Sequence, residues 1–243
     1  MRRLDAYELT GRSSTHIQRL EEPSCALHGE VSEPFLQLRA AAAKVGFDLV
    51  PASSFRDFSR QQALWNSKYR GERASLDRYG RPIDMTALAP AERIETILCW
   101  SALPGASRHH WGTDLDVYDR AAVPEGYALQ LVPAEYAPGG PFAALHDWLS
   151  DHLDGYGFYR PYQRDLGGVS PEPWHISYAP LANDCLQALT VEILREALRE
   201  GEVEGGEVLL ARVPELHERF TQRVEAPPPL ALLHELRDHR RVV

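Results

Sequence analysis

Two short stretches alternate polar and apolar side chains as half-buried strands do. They are Asp114-Leu115-Asp116-Val117-Tyr118 and Trp174-His175-Ile176-Ser177-Tyr178. In the first, Leu115 and Val117 would face a core, with Asp114, Asp116 and Tyr118 on the other side. In the second, His175 and Ser177 lie opposite three large apolar residues. Elsewhere the period lengthens to that of helices. Phe35, Leu36, Leu38, Ala41, Ala42 and Val45 predict a helix stopped by Gly46, and Phe47 to Ala52 predicts a strand leading to Arg56. Further helices are expected over Ser59–Tyr69, with Ser59 as N-cap, over Pro90–Leu103, and over Phe142–Leu153. The charged stretch from Arg70 to Pro82 reads as a loop bordering a cleft, and Pro124 to Pro141 as turn-rich chain.

After Pro180, Leu189–Leu198 and Val208–Val224 have helical periodicity. The run Pro227-Pro228-Pro229 reads as a stiff linker before a short helix over Leu230–Arg240. The mixture predicts an α+β fold, with helices packed on a small, mostly antiparallel sheet. Three regions follow: an irregular arm at 1–30, the main body at 31–180, and a helical extension at 181–243. Amphipathic stripes usually bury their apolar face intramolecularly, so the extension is expected to pack on the body.

Composition narrows the partners. The 243 residues allow one sizeable domain with an appendage. A net charge of −9 argues against generic binding to nucleic acid or to an anionic membrane. Cys25, Cys99 and Cys185 are scattered, form no disulfide framework and make no Cys-x-x-Cys pair. No apolar run approaches the roughly 20 residues of a membrane span. Met1 to Leu20 is polar and lacks a signal-peptide segment, so a cytoplasmic location is expected.

The candidate chemistry lies on and beside the two strands. His109, Asp116 and His175 are candidate metal ligands, with Glu172 a candidate base. Two imidazoles and one carboxylate leave a tetrahedral zinc one open position, the pattern of catalytic rather than structural sites. Metal-assisted hydrolysis is the chemistry this set points to. The plain alternative is a chance grouping of surface or hydrogen-bonded residues in a chain with ten His and thirty-five acidic residues, counted as 10 and 35. Ser107, Gly112 and the Pro104-Gly105 turn suggest that His109 sits on the loop entering the first strand, and Pro171 and Pro173 stiffen the approach to Glu172. Other chemistries lack their motifs. His217-Glu218 and His234-Glu235 have no second His at the spacing of a zinc-protease helix, and no nucleophile elbow, Walker loop or dinucleotide fingerprint occurs.

The segment Ser107-Arg108-His109-His110-Trp111-Gly112-Thr113-Asp114-Leu115-Asp116 resembles the Ser-x-His-x-x-Gly-x-Ala-x-Asp motif of VanY-type D-alanyl-D-alanine metallocarboxypeptidases. Glu172-Pro173-Trp174-His175 resembles their Glu-Pro-Trp-His motif, and Ser53 to Gln61 is similar to their Ser-Gly-Tyr-Arg-Ser-x-x-x-Gln segment. Tyr156-Gly157-Phe158 matches a further family tripeptide. The resemblance implies that His109, Asp116 and His175 bind zinc, that Glu172 is the base, and that Arg56 and Ser107 hold substrate or transition state. It implies the same α+β fold and a peptidoglycan-type peptide as substrate. Asp114 departs from the pattern, standing where the family has a small residue. It is open as a hydrogen-bonded carboxylate, a partner to a ligand, a rival ligand, or an acceptor for a substrate ammonium.

The expected function is a zinc peptidase that removes a C-terminal D-alanine. Arg56, Ser107, Arg108 and Gln61 are candidate donors for the terminal carboxylate. The alternatives are a D-Ala-D-Ala dipeptidase, for which Asp114 would receive the free ammonium, a peptidoglycan endopeptidase, and a non-catalytic zinc-containing binding or signalling module. Glu172 speaks against the last, because a structural zinc needs no base. Periplasmic or cell-wall action would require another route of export or release by lysis.

Overall fold

The computed structural model describes residues 2–227. The chain opens with one helical turn, α1 (Ala6–Leu9), and a hairpin of β1 (Ile17–Leu20) and β2 (Cys25–His28), where an irregular arm was expected. Helix α2 (Gly29–Lys44) leads into β3 (Leu49–Ser53), and α3 (Phe58–Tyr69) follows the loop carrying Arg56. A small hairpin of β4 (Ser75–Leu76) and β5 (Pro82–Ile83) precedes α4 (Pro90–Leu98). Then come β6 (Asp114–Asp119), α5 (Pro133–Tyr136), α6 (Ala143–His152), β7 (Phe158–Tyr159) and β8 (His175–Tyr178). Helices α7 (Ala179–Ala188), α8 (Val191–Glu200) and α9 (Gly206–His217) follow. The short helix expected at 230–240 lies outside the described residues, as do two of the three prolines before it.

The central sheet has the order β3-β6-β8-β7, every pairing antiparallel. The alternation predicted for β6 and β8 is present. Leu115, Val117 and Ile176 have no exposed surface, and they pack with Phe35 and Leu38 of α2 and with Leu145 and Leu149 of α6. Burying each such side chain contributes about 1.5–3 kcal/mol, so this face fixes the register. The register sets Asp116 opposite His175 and Asp114 opposite Ser177. A second cluster joins Trp65, Ile94, Ile97 and Trp111 to Leu194 and Leu198 of α8 and to Leu209 and Val213 of α9. The C-terminal helices therefore pack on the body.

Several boundaries differ from expectation for local reasons. Helix α2 begins well before Phe35 and carries Pro34 inside it, although proline ordinarily marks a first turn. The cap of α3 is Asp57, whose carboxylate accepts from Arg60 N at 2.7 Å, rather than Ser59. Helix α4 stops at Leu98, and the loop from Arg70 to Pro82 contains the β4–β5 pairing. Helix α7 was not expected at all; its stripe of Leu181, Ala182, Cys185 and Leu186 is short and begins at a proline turn. Among the described residues, no helix is long and apolar enough to cross a membrane.

Candidate metal centre and its cleft

His109 lies in a 3-10 turn, Arg108–Trp111, which ends at Gly112 in the left-handed conformation. A Cβ at Gly112 would stand 2.4 Å from Ile17 Cδ1 and 2.6 Å from His28 N. Glycine is thus what lets the β1–β2 hairpin close on this turn, and His28 N donates to Gly112 O at 2.9 Å. The next residues form β6 and carry Asp116 to its place beside His175, the first residue of β8.

His109, Asp116 and His175 each offer one ligand atom within 4.8 Å of the others, and all three side chains are buried. His109 Nε2 is 3.3 Å from Asp116 Oδ2. His175 Nδ1 is 3.1 Å from Asp116 Oδ1 without the alignment of a hydrogen bond. His109 Nδ1 and Asp116 Oδ1 are buried with no hydrogen-bond partner among the described residues. Buried polar atoms are ordinarily paired. The unpaired Asp116 Oδ1, with His109 Nε2 and His175 Nδ1 converging on the same carboxylate, fits a divalent cation with nitrogen and oxygen ligands, as zinc prefers.

His175 is oriented from behind. Its Nε2 lies 2.9 Å from Asp114 Oδ1, which leaves Nδ1 facing the ligand set. Asp114 also accepts from Arg108 Nε at 2.7 Å, Thr113 Oγ1 at 2.5 Å and Ser177 Oγ at 3.0 Å. The Arg108 guanidinium reaches Ser177 Oγ at 2.7 Å and Tyr159 OH at 3.0 Å. Metal-binding histidines characteristically hold their second nitrogen to such a carboxylate, which fixes tautomer and ring orientation. Burial opposes the charge on Asp114, but Arg108 and His175 outweigh it and hold its pKa below the usual carboxylate range.

Glu172 is buried beside the ligand set, with Oε2 at 3.3 Å from His175 Nδ1. Its backbone is pinned by Glu172 N donating to Tyr162 O at 2.9 Å, and the Tyr162 ring stands edge-on to His175. Burial raises the Glu172 pKa against the opposing pull of His175. Such a shift moves a carboxylate toward the range where it can both accept and return a proton. Asp116 goes the other way: burial is outweighed by His109 and His175, and its pKa falls.

These groups line a cleft of about 880 Å³ that includes Arg56, Ser107, Arg108, His109, Asp116, Glu172 and His175. Arg56 is held by Gln61 Oε1 at 2.7 Å and Ser53 Oγ at 2.9 Å. Two residues expected at the substrate are placed beneath the cleft instead. Gln61 has no exposed surface and spends its amide on Arg56 and on Ala102 O. Asp114 has none either, and its oxygens serve Arg108, Thr113, Ser177 and His175. The Arg108 guanidinium is likewise committed inward, although the residue borders the cleft. His110, adjacent to the ligand position, is a structural residue: Nε2 accepts from Gly105 N at 3.1 Å and Nδ1 meets Arg56 O at 2.6 Å. Burial pushes its pKa down to about 3, so it remains neutral. Sequence reasoning did not single out Lys68, Arg73 or Tyr162, which also line the cleft. Only the charge of the stretch after α3 hinted at Arg73.

A family model described as VanY, D-alanyl-D-alanine carboxypeptidase, matches residues 24–181. An uncharacterized protein of Haemophilus influenzae is 37% identical over 127 residues, covering 51% of this chain and 95% of that protein. A D-alanyl-D-alanine carboxypeptidase of Enterococcus faecalis is 30% identical over 149 residues, covering 60% of this chain and 46% of the relative. The solved structure of VanYB in complex with D-Ala-D-Ala aligns with a TM-score of 0.50 at 21% identity, covering 76% of this chain and 89% of that one. A Zn(II) complex of a D,D-pentapeptidase VanY aligns with a TM-score of 0.50 at 22% identity, covering 76% and 92%. At these identities the structural likeness speaks to the fold, which is that of the D-Ala-D-Ala metallopeptidases.

Proposed function

Because the chain belongs to the VanY family of D-alanyl-D-alanine carboxypeptidases, we propose that it is a zinc-dependent peptidase that removes a C-terminal D-alanine from peptidoglycan-type peptides. The observation that carries this reading is the convergence of His109, Asp116 and His175 in one cleft with a buried Glu172 beside them. His109, Asp116 and His175 would hold the metal. Zinc in such a site polarises a carbonyl and lowers the pKa of water to about 7.

The chain's own groups do the rest. Glu172 takes a proton from the attacking water and returns it to the leaving amine, a transfer its raised pKa favours. Arg56, braced by Gln61 and Ser53, presents its guanidinium to the oxygen that becomes negative. Asp114 holds the His175 ring and is itself neutralised by Arg108. That commitment leaves Asp114 no oxygen for a substrate ammonium, so the dipeptidase reading draws no support from Asp114. The test is mass spectrometry of products from defined muropeptides, with and without a chelator, beside elemental analysis of the protein. Release of a single D-alanine that stops on chelation is expected. A folded, zinc-loaded protein that leaves every D-alanine-terminated peptide intact would refute the reading.

A further inference from the structure

Among the described residues, three cations on the cleft make no ion pair: Arg56, which Gln61 and Ser53 hold, and Lys68 and Arg73. Lys68, at the end of α3, and Arg73, shortly after it, line the same cleft as Glu172 and His175. Among the described residues, the Lys68 ammonium makes one hydrogen bond, to Ser101 Oγ at 2.6 Å. An ammonium has three donors, so two are left over. Of the other guanidiniums bordering the cleft, Arg56 donates to the neutral Gln61 and Ser53, Arg78 pairs with Asp165, and Arg108 pairs with Asp114 while its Nη1 has no partner among the described residues. A half-buried ammonium without a counter-charge is costly. Burial and the neighbouring Arg73 push the Lys68 pKa down to about 8. An arriving anion would relieve both effects.

The position suits one particular anion. Gln61 and Lys68 both face the loop after α4, about two turns apart on α3. Ser101 accepts from Lys68, and the adjacent Ala102 carbonyl accepts from Gln61, which in turn holds Arg56. Two consecutive residues, with Cα atoms about 3.8 Å apart, therefore tie the free ammonium to the guanidinium assigned to the reacting oxygen. The carboxylate of the residue just beyond the scissile bond is the anion that such a link to Arg56 would serve.

We propose that Lys68, with Arg73 beside it, receives the free C-terminal carboxylate of the substrate and thereby sets the preference for cutting the last peptide bond. This assignment rests on the carboxypeptidase reading above. It supplies a donor that Gln61 cannot, since the Gln61 amide is spent on Arg56 and Ala102.

The test compares kcat/KM of the zinc-loaded protein on one peptide ending in D-Ala-D-Ala, offered as free acid and as C-terminal amide. Wild type is expected to favour the acid by at least about tenfold, the scale of a charge-assisted contact. Lys68→Met should bring the acid-to-amide ratio close to one, mainly through a higher KM for the acid, and Lys68→Arg should keep the preference. In wild type the preference should fade above about pH 8, as the ammonium loses its proton, and in Lys68→Arg that fading should move to higher pH. A Lys68→Met protein with the full acid preference overturns the assignment and leaves the carboxypeptidase reading standing. Equal cleavage of acid and amide by wild type overturns the assignment, whereas failure to cleave either peptide overturns the carboxypeptidase reading. If Lys68→Met fails to fold, the Lys68→Arg pH profile decides, and an unmoved alkaline limb overturns the assignment.

Discussion

Asp114 and Arg108 are each tolerable inside the protein only because of the other. Both are at most 2% exposed, and they meet at 2.7 Å. Removing one partner of such a pair strands the other, at about 3–5 kcal/mol, while removing both costs far less. Asp114→Ala is therefore expected to lower unfolding stability by about that amount, and Arg108→Met with Asp114→Ala to recover much of it. Urea denaturation of wild type, Asp114→Ala, Arg108→Met and the double variant checks this, and additive losses would show that the pair is not coupled. Glu172, in its proposed role as the base, calls for a different outcome. Glu172→Gln should fold and hold zinc, yet lose about 10²–10⁴-fold in kcat. Loss of metal comparable to that of His109→Ala would make Glu172 a ligand instead. The grouping of His109, Asp116 and His175, with Glu172 beside it, was readable in sequence because the residue types and spacing are those a metal site would use. The partners of Asp114 were not, since His175 and Ser177 reach it across the β6–β8 pairing and Arg108 only through the turn before β6. Lys68 was invisible for the same reason: nothing in its sequence neighbourhood says that it lacks a carboxylate.

At the level of elements, the loop carrying His109 depends on a hairpin far away in sequence. Gly112 has φ of 68°, a conformation that costs an ordinary residue about 1–2 kcal/mol. A methyl group there would also strike Ile17 and the backbone of His28. Gly112→Ala should thus destabilise the protein by at least about 2 kcal/mol and reduce zinc content, read by thermal unfolding and elemental analysis. A variant with wild-type stability and zinc would show that the hairpin does not fix the turn. The same dependence explains what pattern reading reached. Strands β6 and β8 were legible because one face of each is buried and the other carries chemistry, which forces alternation. The β1–β2 hairpin was not, because its burial is partial and uneven, and α7 was not, because its buried stripe is brief.

For the whole molecule, metal and protons compete for one site, and folding stability should report it. In the metal-free protein burial opposes charge on His175, but Asp114, Asp116 and Glu172 outweigh it and raise its pKa well above 6.5. A group raised on folding stabilises fully below its unfolded pKa, and that contribution is lost as pH climbs through the folded value. The metal-free protein should therefore lose this share of its stability above neutral pH. Zinc takes the place of the proton, so its binding weakens as pH falls below the folded His175 value, by up to about tenfold in Kd, or about 1.4 kcal/mol, per pH unit. At one hundred times Kd a ligand adds about 2.7 kcal/mol to stability. The rise in Tm on adding zinc at fixed free concentration is thus expected to grow from pH 6.5 to 8.5, and to vanish in His175→Ala. The effect reaches the whole fold because the ligands come from a turn held by the N-terminal hairpin and from two strands of the central sheet. A zinc-induced shift in Tm that is flat or shrinks across that range would mean that His175 is not the proton-exchanging ligand.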